Sequence, residues 1–409
     1  MRVLVLNTGS SSVKYELFDL WDGAGVNGGT DAERSLATGL VEGIGERAGH
    51  MRAVTQTPDG PRTEDVDHPF ADHRAGLSAV MAHLRARDLL QDLSAVGHRM
   101  VHGGEAFTAP TVVDEEVIDR LSALSPLAPL HNPAALEGIA VARSLRPDVP
   151  HVAVFDTAFH ATLPPSAFRY AVPEDWYRDH GVRRYGFHGT SHAYVAGVAA
   201  QALGRPLEEL RLITLHLGNG ASACAVDGGR SVATSMGLSP LEGLVMGTRS
   251  GDLDPAVVFH MMRAGLSADE VEEALNRRSG LRGLAGDNDM RAVQAAADHG
   301  SPEAQLALEV TAGRIRRYIG AYLAELGGLD AVVFTAGIGE HSAALRAAVI
   351  APLGVLGLAV DGEANDGCDA SSGPVAISPP GIGPTVLVVA TDEERMIARE
   401  TVRTLAADP

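Results

Sequence analysis

Val3 to Phe18 reads VLVLNTGSSSVKYELF. Val3 to Leu6 is an apolar run of the kind a buried strand carries, and Thr8-Gly9-Ser10-Ser11-Ser12 follows as a turn of small side chains. From Val13 onward the chain alternates. Val13, Tyr15 and Leu17 fall on one face and Lys14, Glu16 and Phe18 on the other, which predicts a second strand and therefore a hairpin. Backbone N–H groups, the serine hydroxyls (Ser10 and Ser12 among them) and the Lys14 ammonium then surround a tight turn. Nests of N–H groups bind anions and small side chains permit close approach, so the turn is a candidate cradle for phosphate oxygens. The alternative is a serine-rich hairpin at a sheet edge.

Lys14 is the only lysine in 409 residues, and the other 32 basic residues are arginine. Such a chain places arginine wherever a generic positive charge suffices. A lone lysine beside this turn therefore points to a role for a compact point charge that a planar fork cannot fill, unless it survives there by chance.

The length predicts two domains, and 45% hydrophobic residues with 46 glycines fit a soluble α/β protein. No apolar run approaches the roughly 18 residues of a membrane span, and Met1 to Leu6 is too short for a signal peptide. Two cysteines, Cys224 and Cys368, are too few for a disulfide framework, which favours a reducing cytoplasm. A formal net charge of −19 argues against nucleic acid and anionic membrane as partners. An anionic substrate would need a local cluster of arginines.

Downstream, residues 22–35 read as a polar, glycine-rich surface loop, and Ala37–Ile44 and Met51–Thr57 as strands. Asp72 is placed to cap a helix from His73, followed by a strand Leu93–Met100 that runs into Arg99-Met100-Val101-His102-Gly103-Gly104. A rigid loop, Ser125 to Pro133, presents His131, and the strand His151–Phe155 ends in Asp156-Thr157. Val182 to Gly189 reads as a loop before a helix starting near Ser191.

Leu212 to Val226, LITLHLGNGASACAV, repeats the opening pattern of strand, small polar turn and strand. Gly9 then falls on Gly218, Asn7 on His216 and Ser10 on Asn219, which predicts an internal duplication. Ser235 to Pro255 is a long glycine-punctuated loop, and loops of that length in compact domains are usually functional. Ala331–Thr335 enters Ala336-Gly337-Ile338-Gly339-Glu340, read as a strand, a glycine turn and then a helix from about Ser342, a nucleotide-binding shape. The chain closes with a strand Thr385–Ala390, a turn through Glu394 and a last helix. There is no GxxxxGK[ST] loop, protein-kinase signature or metal-binding Cys/His spacing. Glycine turns at strand ends, a lone lysine, loop-borne arginines, and Asn7, Asp156 and Glu393 at turns form an inventory that suits Mg²⁺-assisted phosphoryl transfer.

These blocks resemble the acetate kinase family. VLVLNTGSSSVKYELF, GHRMVHGGEAF, LAPLHNPAAL, VAVFDTAFH, RRYGFHGTSH, HLGNGAS, SMGLSPLEGLVMGTRSGDLDP, FTAGIGE and TDEERMIARET run in family order from residue 3 to residue 402. The resemblance implies two ribonuclease-H-like domains, a duplicated α/β fold flanking a nucleotide cleft. The expected boundaries are residues 1–157 plus 394–409 for one domain, and 158–393 for a nucleotide-binding and dimerisation domain. It implies reversible phosphoryl transfer from ATP to acetate, giving ADP and acetyl phosphate in a cytoplasmic homodimer. By the same resemblance Asn7 and Glu393 hold Mg²⁺ (Mn²⁺ as the alternative ion), and Ser10, Ser12, Lys14 and His192 serve the nucleotide. His216-Leu217-Gly218-Asn219-Gly220, Asp289-Met290-Arg291 and Gly337-Ile338-Gly339-Glu340-His341 would contact it as well. Arg99 binds the carboxylate substrate, with His131 nearby, and Val101, Leu130, Phe187 and Pro240 line the pocket for its methyl group. His188 and Arg249 stabilise the transition state, and Asp156 acts as acid/base.

That last role is weak chemically, because acetate is already ionised at neutral pH. Orienting an arginine or binding hydrated Mg²⁺ is the competing role for Asp156. Three positions depart from the family pattern: Asp392 where Asn is usual, His341 at the end of the GIGE block, and GDNDMR as the adenosine block. A propionate kinase is the nearest rival, and a nucleotide-switched binding protein on the same fold is the rival from another class.

Overall fold

The computed structural model describes residues 1–20, 33–129 and 131–407. The chain divides into two compact units, Met1–Ala158 with Asp392–Pro409, and Phe159–Thr391.

Unit 1 is built on eight strands: β1 (Arg2–Thr8), β2 (Ser12–Leu20), β3 (Glu33–Glu42), β4 (His50–Thr57), β5 (Gly60–Asp67), β6 (Leu93–Met100), β7 (Thr111–Val112) and β8 (His151–Phe155). Their spatial order is β5-β4-β3-β2-β1-β6-β8-β7. β1, β2 and β3 form an antiparallel meander, and β6 and β8 continue parallel to β1. The opening hairpin is β1 and β2, with Asn7 opposite Lys14 and Thr8 opposite Val13. Its two faces do not divide into buried and polar as the alternation predicts. Leu4, Leu6, Val13, Tyr15 and Leu17 pack under helix His73–Arg85 through Leu77, Val80, Met81 and Leu84. Val3, Val5 and Phe18 are buried on the other face against Ile397 and Ala398 of the last helix, Glu393–Ala407. Gly97 on β6 lets that helix approach, since a Cβ there would sit 2.5 Å from Thr401 Oγ1.

Asp72 caps helix His73–Arg85 as expected, accepting from Ala75 N at 2.8 Å. Strand β5 has no counterpart in the sequence reading because it is exposed on both faces and lacks an apolar alternation. Of the loop expected over 22–35, residues 22–32 lie outside the described residues, and 33–35 already belong to β3.

Unit 2 repeats the design with β9 (Arg211–Leu217), β10 (Ala221–Asp227), β11 (Arg230–Thr234), β12 (Ala331–Thr335), β13 (Val375–Ala376) and β14 (Thr385–Val388), ordered β11-β10-β9-β12-β14-β13. Again three antiparallel strands precede two parallel ones, and a short antiparallel strand closes the edge. The units are therefore two copies of one ribonuclease-H-like topology. In the second hairpin His216 lies opposite Ser222 where the first pairs Asn7 with Lys14.

Two local expectations need correction. The glycine-rich stretch after β12 is not a turn but a helix, Ala336–His341, entered through Ala336 at φ 62°. The last helix begins at Glu393, so this residue sits in its first turn and not in a preceding loop.

Candidate active site

In unit 1 the parallel register of β6 and β8 sets Arg99 beside Val154, and brings Asp156, which follows β8, to the same sheet end. The two side chains form a bidentate pair. Arg99 Nε donates to Asp156 Oδ1 at 3.0 Å and Nη2 to Oδ2 at 2.7 Å, with Asp156 only 1% exposed. Burial acts to lower the Arg99 pKa, but the negative charges of Asp156 and Glu393 outweigh it and the shift is upward. Asp156 thus fixes the guanidinium plane. Val101 follows on the loop after β6, which is held from both sides. Asn132 Oδ1 accepts from His102 N at 3.2 Å, Asn132 Nδ2 donates to His102 O at 3.0 Å, and Gly103 N donates to Thr157 Oγ1 at 3.1 Å. Asn132 opens the helix Asn132–Leu145, with His131 at its N-cap, so the Asn132 amide ties the Val101 loop to the His131 helix end. Neither Asn132 nor Thr157 was among the sequence candidates. Leu130 lies outside the described residues.

At the hairpin, Gly9 N donates to Ser12 O at 2.8 Å, which closes the turn, and Ser10 is exposed. Lys14 Nζ lies 2.9 Å from Glu394 Oε1. Burial, the largest single influence, pulls the Lys14 pKa down, but the charge and hydrogen bond of Glu394 with the charges of Glu16 and Glu393 together outweigh it, and the net shift is upward. Glu394 belongs with Glu16 and Asp392 to a cluster whose carboxylate oxygens lie within 4.8 Å of one another. Glu393, one of the expected metal ligands, is not in this cluster. The charge of the cluster is countered internally: Asp392 Oδ2 accepts from Arg395 Nε at 2.7 Å, and burial raises Glu16 to about 7, so it holds a proton near neutrality. Glu393, by contrast, has a buried Oε1 with no hydrogen-bond partner among the described residues. An orphaned carboxylate oxygen is a fitting donor for a hard cation.

In unit 2 the turn between β9 and β10 is closed by Gly218 N donating to Gly220 O at 3.0 Å. A Cβ on Gly220 would lie 3.4 Å from both Arg249 Nη2 and His188 Nε2, so the turn, Arg249 and His188 meet at one corner. The long loop 235–255 docks there: Gly247 N donates to Asn219 O at 2.9 Å, and a Cβ on Gly247 would overlap Asn219 Oδ1. Arg249 Nη1 donates to Pro240 O at 2.7 Å. Among the described residues no carboxylate pairs with this guanidinium, and burial lowers its pKa. An arginine held by a carbonyl but unneutralised is an anion site in waiting.

His188 adopts a left-handed conformation, φ 57°, as N-cap of helix Gly189–Leu203, which starts earlier than the sequence predicts. His188 and His216 stack with ring centroids 4.1 Å apart. His216 Nδ1 lies 2.8 Å from Ser191 Oγ, and Phe187 is buried.

A cavity of about 710 Å³ opens beside the turn and is lined by Gly218, Asn219, Asp289, Met290, Arg291, Gly337, Ile338 and His341. It thus gathers three separate sequence candidates, and adds Asn288, Gln294 and Asp298 to them. Leu217, Gly220, Gly339 and Glu340 do not line it. Gly339 packs over β9, a Cβ there lying 3.6 Å from Leu217 Cβ, and Glu340 Oε1 accepts from Thr391 N at 3.0 Å. A second cavity, about 540 Å³ in unit 1 beside Glu115, Arg143 and His151, contains none of the candidates.

Comparison with known proteins decides the family. The acetokinase family model matches residues 2–399. The chain belongs to the acetokinase family. It is 55% identical over 405 residues to the acetate kinase of Streptomyces coelicolor, covering 98% of this chain and 96% of that one. It is 54% identical over 409 residues to the acetate kinase of Leifsonia xyli, covering 99% of each. Among solved structures, Porphyromonas gingivalis acetate kinase superposes with a TM-score of 0.89 at 41% identity, covering 99% of both chains. A propionate kinase from Francisella tularensis superposes equally well, TM-score 0.89 at 38% identity, covering 98% of this chain and 99% of that one.

Proposed function

We propose that this member of the acetokinase family transfers the γ-phosphoryl group of ATP reversibly to acetate, giving acetyl phosphate and ADP by direct in-line attack. The observation that carries the reading is Arg249: a guanidinium beside His188 Nε2 and the Gly220 turn, with no carboxylate partner among the described residues. A transferring phosphoryl group spreads negative charge over three oxygens, and fixed donors at such a corner are worth most in its transition state.

The nucleotide occupies the 710 Å³ cavity, its phosphates toward Gly218 and Asn219. Arg99 binds the acetate carboxylate. Asp156 is a positioning residue that holds Arg99, because a carboxylate substrate needs no base. A carboxylate oxygen of acetate forms the new O–P bond as the bond from phosphorus to the bridging oxygen of ADP breaks, and ADP retains that electron pair. The family resemblance assigns the methyl group of the substrate to Val101, Leu130, Phe187 and Pro240. Mg²⁺, or Mn²⁺ in its place, fits Asn7 and the orphaned Oε1 of Glu393, and would supply charge neutralisation for the phosphates. Lys14, Ser10 and Ser12 serve the nucleotide from the first hairpin, the Lys14 ammonium being held in readiness by Glu394.

Phe259, Val257 and Met262, exposed on helix Ala256–Arg263, support a homodimer through unit 2. Two free cysteines support a cytoplasmic setting, and no helix among the described residues is long and apolar enough to cross a membrane. Propionate is the second acid to consider, on the strength of the Francisella likeness. Initial rates with acetate, propionate and butyrate test the assignment. Acetate-independent ADP release would replace it with a nucleotide-switched binding protein.

A further inference from the structure

Among the described residues of unit 2, an unbroken line of hydrogen-bonded side chains runs from Thr214 to His188. Thr214 Oγ1, on β9, lies 2.7 Å from His192 Nδ1. His192 Nε2 lies 2.8 Å from Ser222 Oγ, on β10, and the same oxygen lies 2.9 Å from His188 Nδ1. Thr214, His192 and Ser222 are all fully buried. The far nitrogen of His188, Nε2, is the one beside Gly220 and Arg249.

The proton positions along this line follow from counting. A hydroxyl carries one proton, and the buried Ser222 proton has only the two ring nitrogens as acceptors among the described residues, so Ser222 donates to one of them and accepts an N–H from the other. Two directions satisfy that rule. In the first, His188 Nδ1–H donates to Ser222, Ser222 donates to His192 Nε2, and His192 Nδ1–H donates to Thr214. The buried proton of Thr214 then has no acceptor, because its hydroxyl makes no other hydrogen bond among the described residues. In the second, Thr214 donates to His192 Nδ1, His192 Nε2–H donates to Ser222, and Ser222 donates to His188 Nδ1. Every proton is used, and the proton of His188 is left on Nε2. A doubly protonated His188 fails as the first direction does, since it too forces Ser222 to donate toward His192. Burial holds His192 well below the ordinary histidine pKa, which keeps its ring a one-donor, one-acceptor relay.

We propose that Ser222 is a positioning residue for phosphoryl transfer: the line Thr214–His192–Ser222 fixes His188 as the Nε2–H tautomer and aims an N–H donor at the corner shared with Arg249. This rests on the reading of His188 as a transition-state donor. The opposite tautomer would present a lone pair to the phosphoryl oxygens and repel them.

Two measurements test this on the full chain. With ¹⁵N-labelled histidine, long-range ¹H–¹⁵N spectra report the tautomer of each ring, and His188→Gln and His192→Gln assign the signals. Nε2–H on both rings is expected. Nδ1–H on His188 overturns the proposal whether or not His188 takes part in catalysis. In steady-state assays Ser222→Ala should lower kcat by about 10²-fold with KM for ATP and acetate nearly unchanged, the pattern of a lost transition-state donor. Ser222→Thr, which keeps the hydroxyl, should stay within about threefold of the parent kcat. In a His188→Gln background Ser222→Ala should cost nothing further, because coupled residues are not additive. A full further loss there shows that Ser222 does not act through His188. An unchanged kcat in His188→Gln alone overturns the role of His188 and with it that of Ser222. If Ser222→Ala fails to fold, the parent spectrum and the threonine variant decide.

Discussion

Replacing Arg249 with alanine isolates the donor on which the phosphoryl-transfer reading stands. Among the described residues the side chain makes one hydrogen bond, to Pro240 O, and faces no carboxylate. Truncation therefore strands no buried anion, and the loss to folding is limited to one hydrogen bond, about 0.5–1.5 kcal/mol. Catalysis should suffer far more. Removing one preorganised donor costs about 10²–10³ in kcat, or roughly 2.7–4 kcal/mol of transition-state stabilisation. The variant should thus melt near the parent temperature, bind ATP and acetate with little change in KM, and turn over at least a hundredfold more slowly (about 10² is the lower end of that range). Arg249→Lys should recover only part of the rate, because a point charge cannot replace the two-pronged geometry. Initial-rate kinetics over a grid of both substrates, with a thermal melt of each variant, measure all of this. A loss confined to KM would show that Arg249 binds only the ground state, and an unchanged kcat would remove it from the transition state altogether.

Arg99→Ala should behave differently, because it leaves Asp156 buried without its partner. Destabilisation of about 3–5 kcal/mol is expected in denaturant titration, and a second change, Asp156→Asn, should relieve much of it. Val101→Ala should raise the propionate-to-acetate ratio of kcat/KM, within the about 1–3 kcal/mol that one methylene is worth; an unchanged ratio removes Val101 from the acyl pocket. Glu16, held at about 7 by burial against an ordinary value of 4.5, binds its proton more tightly folded than unfolded. Its contribution is therefore present below about pH 4.5 and is lost as pH rises through 7, so Glu16→Gln should flatten stability across that interval and raise the melting temperature at pH 8. An amine-acylating reagent has Lys14 as its one lysine target; Mg-ATP should slow both its labelling and the accompanying inactivation, and full activity after complete labelling would leave Lys14 as the structural partner of Glu394.

Local features of the fold were legible where side-chain pattern and backbone agree. Both hairpins could be read because apolar runs flank turns of small residues, and the matching strand orders of the two units extend that reading. Strand β5 was invisible because neither face is apolar. The helix Ala336–His341 was read as a turn because glycine normally breaks helices, whereas here a positive φ at Ala336 redirects the chain into the helix. Within the candidate site, the arginines announced themselves by residue type and neighbours. Their contrast did not: Arg99 meets Asp156 across 57 residues only through strand register, while Arg249 meets a carbonyl. Asn132, Thr157 and Ser222 escaped notice because uncharged hydrogen-bonding residues acquire a role only from what they touch.

In the proposed reaction the γ-phosphoryl group goes to a carboxylate. ³¹P NMR of the purified chain with ATP, Mg²⁺ and acetate follows it directly. Acetyl phosphate and ADP should rise together in equal amounts, only when acetate is present, and hydroxylamine should convert the acyl phosphate to hydroxamate. ADP appearing with inorganic phosphate, at the same rate with and without acetate, would show that water and not a carboxylate takes the phosphoryl group.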